Sequence, residues 1–166
     1  MKVQLSVDSE DCDLYPFPDS NALIRVFESE IESLWSQDII KPEIIEIAIS
    51  IISQNDMKEQ NNRFRGIDSA TDVLSFPMWE NNGEFLPLPE IECPTLMLGD
   101  ILLCPEKISE NAALNGSEYI EELCLVLAHS LLHLFCWDHE TEENEEIMWK
   151  RQDIIKSRIM GELRRT

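Results

Sequence analysis

The stretch YIEELCLVLAHSLLHLFCWDH, residues 119–139, constrains this chain more than any other. From 118 to about 135 it reads as a strongly apolar helix. Ser117 is its expected cap, and Glu118, Glu121 and Glu122 fall in the first turn, where carboxylates suit the helix dipole. Set into its end are all three histidines of the chain, His129, His133 and His139, at spacings of four and six. Residues four apart on a helix share a face one turn apart. Two imidazoles so placed can reach a single zinc ion at roughly 2.0–2.1 Å each. The same face cannot supply a third ligand six residues further on, so the chain must turn after about Leu134 to bring His139 back over the metal. Trp137 and Asp138 sit in that turn.

A lone histidine on an apolar helix is usually hydrogen-bonded within the core; three at ligand spacing are a different case. Three neutral nitrogens and one open position describe a catalytic zinc site better than a closed structural one. Cys136 could close the tetrahedron as a thiolate, although its place between His133 and His139 reads first as a turn position. The H-x3-H-x5-H spacing also occurs in metzincin proteases, which need a Glu beside the first histidine as general base. Here that residue is Ser130, a poor base, which argues against proteolysis.

The remainder of the chain narrows the class. At 166 residues and 43% hydrophobic, residues 1–166 are expected to form a single domain with a real core. Charge or Ser interrupts the longest apolar runs, so no membrane span is expected. The start, MKVQLSVDSEDCD, lacks the long apolar region of a secretory signal. Five cysteines, Cys12, Cys93, Cys104, Cys124 and Cys136, form no CxxC pair and fit reduced thiols in a cytoplasm. A net charge of -20 weighs against indiscriminate binding of nucleic acid. Its distribution is uneven, with an acidic run DHETEENEE and a basic C-terminal segment MWKRQDIIKSRIMGELRRT. Both read first as solvated surface, and a local basic face stays open.

Hydrophobic periodicity predicts strands at 2–7, 43–52, 71–77 and 96–103, and helices at 19–35, 56–64, 105–115, 118–135 and 142–160. Asp19 or Ser20 caps the first helix, Pro77 ends the third strand, and Pro105 starts the third helix. Residues 78–94 read as a loop, and a loop connection predicts that the strands on either side pair antiparallel. The expected fold is α+β, a four-stranded mixed sheet covered by about five helices, with the zinc site on a helix and its following turn.

Three segments together resemble one known family, the YbeY endoribonucleases. HSLLHLFCWDH matches that family's HGxLHLxGYDH, RGIDSATDVLSFP (65–77) its RGxDxxTDVLSFP, and LGDILLCPE (98–106) its LGDIxIxxE. Both glycines of the histidine motif are replaced, by Ser130 and Cys136, and its Tyr by Trp137. A glycine at 136 would allow the left-handed backbone that the turn requires, which costs another residue about 1 kcal/mol or more. The resemblance implies one zinc ion per chain held by His129, His133 and His139, and cleavage of single-stranded RNA. It further implies 3′-end maturation of small-subunit ribosomal RNA and ribosome quality control, with ribosomal RNA and ribosomal proteins as partners. Arg65 matches the family's important arginine, and its guanidinium suits the charge of a phosphoryl transition state. His133 and Arg65 are the expected catalytic pair. Asp138, Asp72, Ser75, Asp100 and Arg63 are candidates for orienting ligands or contacting RNA, with Asp72, Ser75 and Asp100 read first as backbone anchors near the site. Lys58 and the C-terminal basic residues are further candidates for phosphate. Two rival readings are a ribosome-assembly binding factor with a mainly structural zinc, and a zinc hydrolase of another substrate.

Overall fold

The structure is a computed structural model that describes residues 1–9, 15–36, 40–86 and 94–165; Cys12 and Cys93 lie outside them. The chain runs β1 (Lys2–Ser9), α1 (Ser20–Leu34), β2 (Ile44–Ile51), α2 (Gln54–Arg65), β3 (Val73–Pro77), β4 (Glu80–Asn81), β5 (Glu84–Phe85), β6 (Thr95–Leu103), α3 (Pro105–Asn115), α4 (Tyr119–Leu134) and α5 (Glu142–Leu163). Four strands form one mixed sheet in the order β1-β2-β6-β3, the α+β arrangement that the periodicity predicts. The β1-β2 and β2-β6 pairs are parallel, and β3 runs antiparallel to β6.

Inside the segment expected to be only a loop lies a two-stranded hairpin, β4-β5. Its turn residues Asn82 and Gly83 both have positive φ, 53° and 81°. That is the type I′ geometry for which Asn-Gly is the preferred dipeptide. Prolines on both flanks masked a signal that was present.

On β2, alternate residues Ile45, Ile47, Ile49 and Ile51 are buried. The first three share one core with Leu23, Phe27 and Ile31 of α1, Leu127 and Leu131 of α4, and Ile155 and Ile159 of α5. Each such fully buried side chain contributes about 1.5–3 kcal/mol relative to exposure. A second, smaller cluster joins Met57 of α2 to Leu74 and Cys104. Cys104, Cys124 and Cys136 are all free thiols. No helix among the described residues is long and apolar enough to cross a membrane.

Two details fix the helices that carry the site. Gly99 on β6 lies where the β2-β6 register shifts, and a Cβ there would stand 2.3 Å from the Phe76 carbonyl oxygen and 2.7 Å from Leu134 Cδ2. Only glycine lets the last turn of α4 approach β6 and β3 so closely. On α1, the fully buried Glu30 accepts hydrogen bonds from Arg151 and Arg158, which clamp α5 across it. Ser33 and Ser29 take a further bond from each guanidinium, at 2.8 and 2.9 Å.

The α4 N-terminus differs from expectation. Glu118, not Ser117, occupies the cap position, and it makes no side-chain cap bond. Ser117 and Asn115 instead donate to the buried carboxylate of Glu122, at 3.1 Å and at 3.2 and 3.3 Å. A buried carboxylate needs donors, and that need outweighs a local cap.

Candidate metal centre

Helix α4 is buried on nearly every side, and only at its end does it open onto a cleft. There His129 and His133 are each half-buried, with ring centroids 4.4 Å apart. The helix closes with paired bonds, Cys136 N–H to the His133 carbonyl at 2.9 Å and Trp137 N–H to that of Leu132 at 3.1 Å. This is a Schellman motif, which places its left-handed residue at Cys136. Cys136 has φ 59°, the conformation expected to favour glycine there. The reversal carries His139 back over the helix end, its ring 5.8 Å from His129 and 5.4 Å from His133. One ligand atom from each of the three histidines lies within 4.8 Å of the other two.

The electrostatics favour ligation. Burial lowers the pKa of His129, partly offset by its hydrogen bond to Gln152. For His133, burial and then the charges of His129, His139 and Arg65 push the pKa down to about 4. Neutral imidazoles have no proton to shed before they bind a metal. The two Nε2 atoms of His129 and His133 stand 2.9 Å apart, and His129 turns its other nitrogen, Nδ1, to Gln152 Oε1 at 2.9 Å. With the proton on Nδ1, His129 offers a lone pair from Nε2 to the point that His133 also faces. This donor set fits a metal ion, and among the described residues it is the histidine trio that could hold one. Cys136 is not in the group; burial and the Glu80 carboxylate push its thiol up, away from the thiolate that a ligand must be.

The cleft has a volume of about 280 Å³. Arg65 reaches it as the last residue of α2, which Gly66 ends with φ 71°. Asp72, Ser75 and Asp138 also line it, as do Thr71 and Glu140. Asp72 is occupied by Thr71 Oγ1 at 3.0 Å and Asn111 Nδ2 at 3.1 Å, and so ties α3 to the strand entrance. Asp138 Oδ1 accepts from the Glu140 N–H at 3.2 Å and Asn144 Nδ2 at 2.9 Å. These bonds, ahead of the neighbouring histidines, lower its pKa. Ser75 Oγ is buried and has no hydrogen-bond partner among the described residues.

Other candidates fall elsewhere. Asp100 pairs across the sheet with Phe76, and the Arg63 guanidinium lies 5.3 Å from the Phe64 ring centroid; neither lines the cleft. Lys58 pairs with Asp68 at 3.4 Å, and Arg151 and Arg158 serve the Glu30 clamp. Sequence reasoning missed Gln152, which is buried on α5. Its signal was a single polar residue within the stripe Met148, Gln152, Ile155 and Ile159.

Comparison with known proteins gives a consistent picture. The family described as Endoribonuclease YbeY matches residues 10–160. Proteins named Endoribonuclease YbeY share 35% identity over 118 residues in Thermoanaerobacter sp. strain X514, covering 69% of this chain and 74% of that protein. In Clostridium botulinum strain 657 the figure is 35% over 145 residues, covering 79% and 87%. The solution structure of TM1509 from Thermotoga maritima superposes with a TM-score of 0.56 at 25% identity, covering 97% of this chain and 92% of that one.

Proposed function

This chain belongs to the endoribonuclease YbeY family, and on that premise we propose that it is a zinc-dependent, single-strand-specific endoribonuclease that processes ribosomal RNA. The reading extends to 3′-end maturation of small-subunit ribosomal RNA and ribosome quality control in the cytoplasm, with one zinc ion per chain and ribosomal RNA and proteins as partners. The observation that carries it is a three-histidine cluster and an arginine opening onto one cleft.

His129, His133 and His139 would hold the ion. When bound, zinc supplies Lewis-acid stabilisation of charge on a phosphodiester. Arg65 offers a planar fork of donors that matches phosphate oxygens and strengthens as their charge grows. Ser75 lines the same cleft, and its buried Oγ has no hydrogen-bond partner among the described residues. Asp138 acts through the turn, holding the segment that delivers His139.

The test pairs zinc analysis of the full chain with cleavage of a single-stranded RNA oligonucleotide and its duplex. Stoichiometric zinc and cleavage confined to the single strand are expected, with both lost in His133→Ala. A second reading, an assembly factor that docks on basic ribosomal proteins with a structural zinc, draws on the net charge of -20. Stoichiometric zinc without cleavage, beside an active control nuclease, would favour it.

A further inference from the structure

Buried polar side chains are costly unless paired, so Gln152 invites a question. It occupies an α5 stripe whose other members, Met148, Ile155 and Ile159, are fully buried and apolar. At 8% exposure, a leucine in its place would contribute more to the core than a glutamine. What the glutamine adds is one contact, Oε1 at 2.9 Å from His129 Nδ1. The helix that carries it cannot slide freely, because the preceding residue, Arg151, reaches Glu30 on α1.

We infer that Gln152 is a positioning residue for the metal centre, which holds His129 with its proton on Nδ1 so that Nε2 is offered to the ion. An imidazole has two nitrogens, and only the one without the proton can ligate. Left to itself the ring divides its proton between them and rotates about its side-chain bonds. An acceptor fixed behind Nδ1 selects both tautomer and ring orientation and makes the ligating nitrogen more basic. Oε1 of the amide accepts a hydrogen bond from this N–H; a leucine cannot, and a carboxylate can. The inference rests on the metal-site reading and assigns to α5, 23 residues downstream of His129, a part in it.

The experiment compares full-length wild type, Gln152→Leu, Gln152→Glu and His133→Ala. Zinc affinity is measured against a competing chelator, tautomer by nitrogen-15 NMR of the metal-free imidazoles, and metal-free stability by thermal melting. Gln152→Leu should melt at or above the wild-type temperature yet bind zinc about 10–100-fold more weakly. Its His129 should lose the predominant Nδ1–H form. Gln152→Glu should stay within a few-fold of wild-type affinity. Zinc affinity in Gln152→Leu within twofold of wild type, or an unchanged tautomer, would overturn the inference while leaving the metal site intact. Wild type that binds zinc no better than His133→Ala would instead sink the metal-site reading. The tautomer comparison then decides alone what Gln152 does to the ring.

Discussion

Two helix ends furnish the two sides of the cleft, and they are built differently. Helix α2 stops at Gly66, φ 71°, immediately after Arg65. Helix α4 stops through Cys136, φ 59°, three residues before His139. Both use the left-handed conformation that lets spent helix carbonyls find donors. At Gly66 it carries no Cβ penalty, whereas at Cys136 it costs about 1 kcal/mol or more. Both ends are braced: that of α4 by two Schellman bonds, Leu134 packed at Gly99 and the Asp138 turn beyond, and that of α2 by the Gly66 N–H on the Asn62 carbonyl at 3.0 Å, Asn61 Nδ2 on the Ser69 carbonyl at 2.7 Å and Phe64 against Phe76. A strained residue persists where the surrounding contacts over-determine it.

Substitutions can break or sharpen this contrast. The largest effect belongs to the α4 end: His133→Ala should abolish stoichiometric zinc and reduce RNA cleavage to background. Metal analysis and a gel-based cleavage assay check this. At the α2 end, Arg65→Ala should slow cleavage by about 10²–10³-fold, the scale for losing a transition-state donor, while zinc content stays at wild type. A rate near wild type would remove Arg65 from the phosphate. Gly66→Ala has nothing within 4 Å to clash with, so its cost is the backbone alone, about 1 kcal/mol in denaturant unfolding. Cys136→Gly is the mirror experiment and should stabilise, by under about 1 kcal/mol, since relief of the backbone is offset by a more flexible unfolded chain. Destabilisation by Cys136→Gly would mean that the thiol's packing outweighs its strained backbone.

The legible parts of the site were local. Spacing alone put His129 and His133 on one helical face, and the resemblance to a family motif with glycine at 136 marked Cys136 as the residue to turn left-handed. The Asn82-Gly83 hairpin was equally local, and proline-rich flanks drew attention from it. Ser117 misled because Glu122, buried by tertiary packing, claimed its hydroxyl. Asp72, Asp100, Arg63 and Lys58 were all plausible as polar residues near the motifs. Only the tertiary structure separates them: Asp72 lines the cleft while tied to Asn111, and Asp100, Arg63 and Lys58 do not line it. Gln152 showed only as a polar residue in an apolar stripe; its partner is on another helix, and periodicity cannot say which helices touch.

Periodicity and three motifs in register therefore determined the helices and the four strands of the main sheet, the histidine trio and the family, since each depends on residues near one another in the chain. Tertiary structure decided the rest. It inserted β6 between β2 and β3, brought Arg65 to the histidines, and clamped α5 through Glu30 so that Gln152 meets His129. Such contacts are fixed by burial and by the need to satisfy polar groups across the core, which no local pattern records.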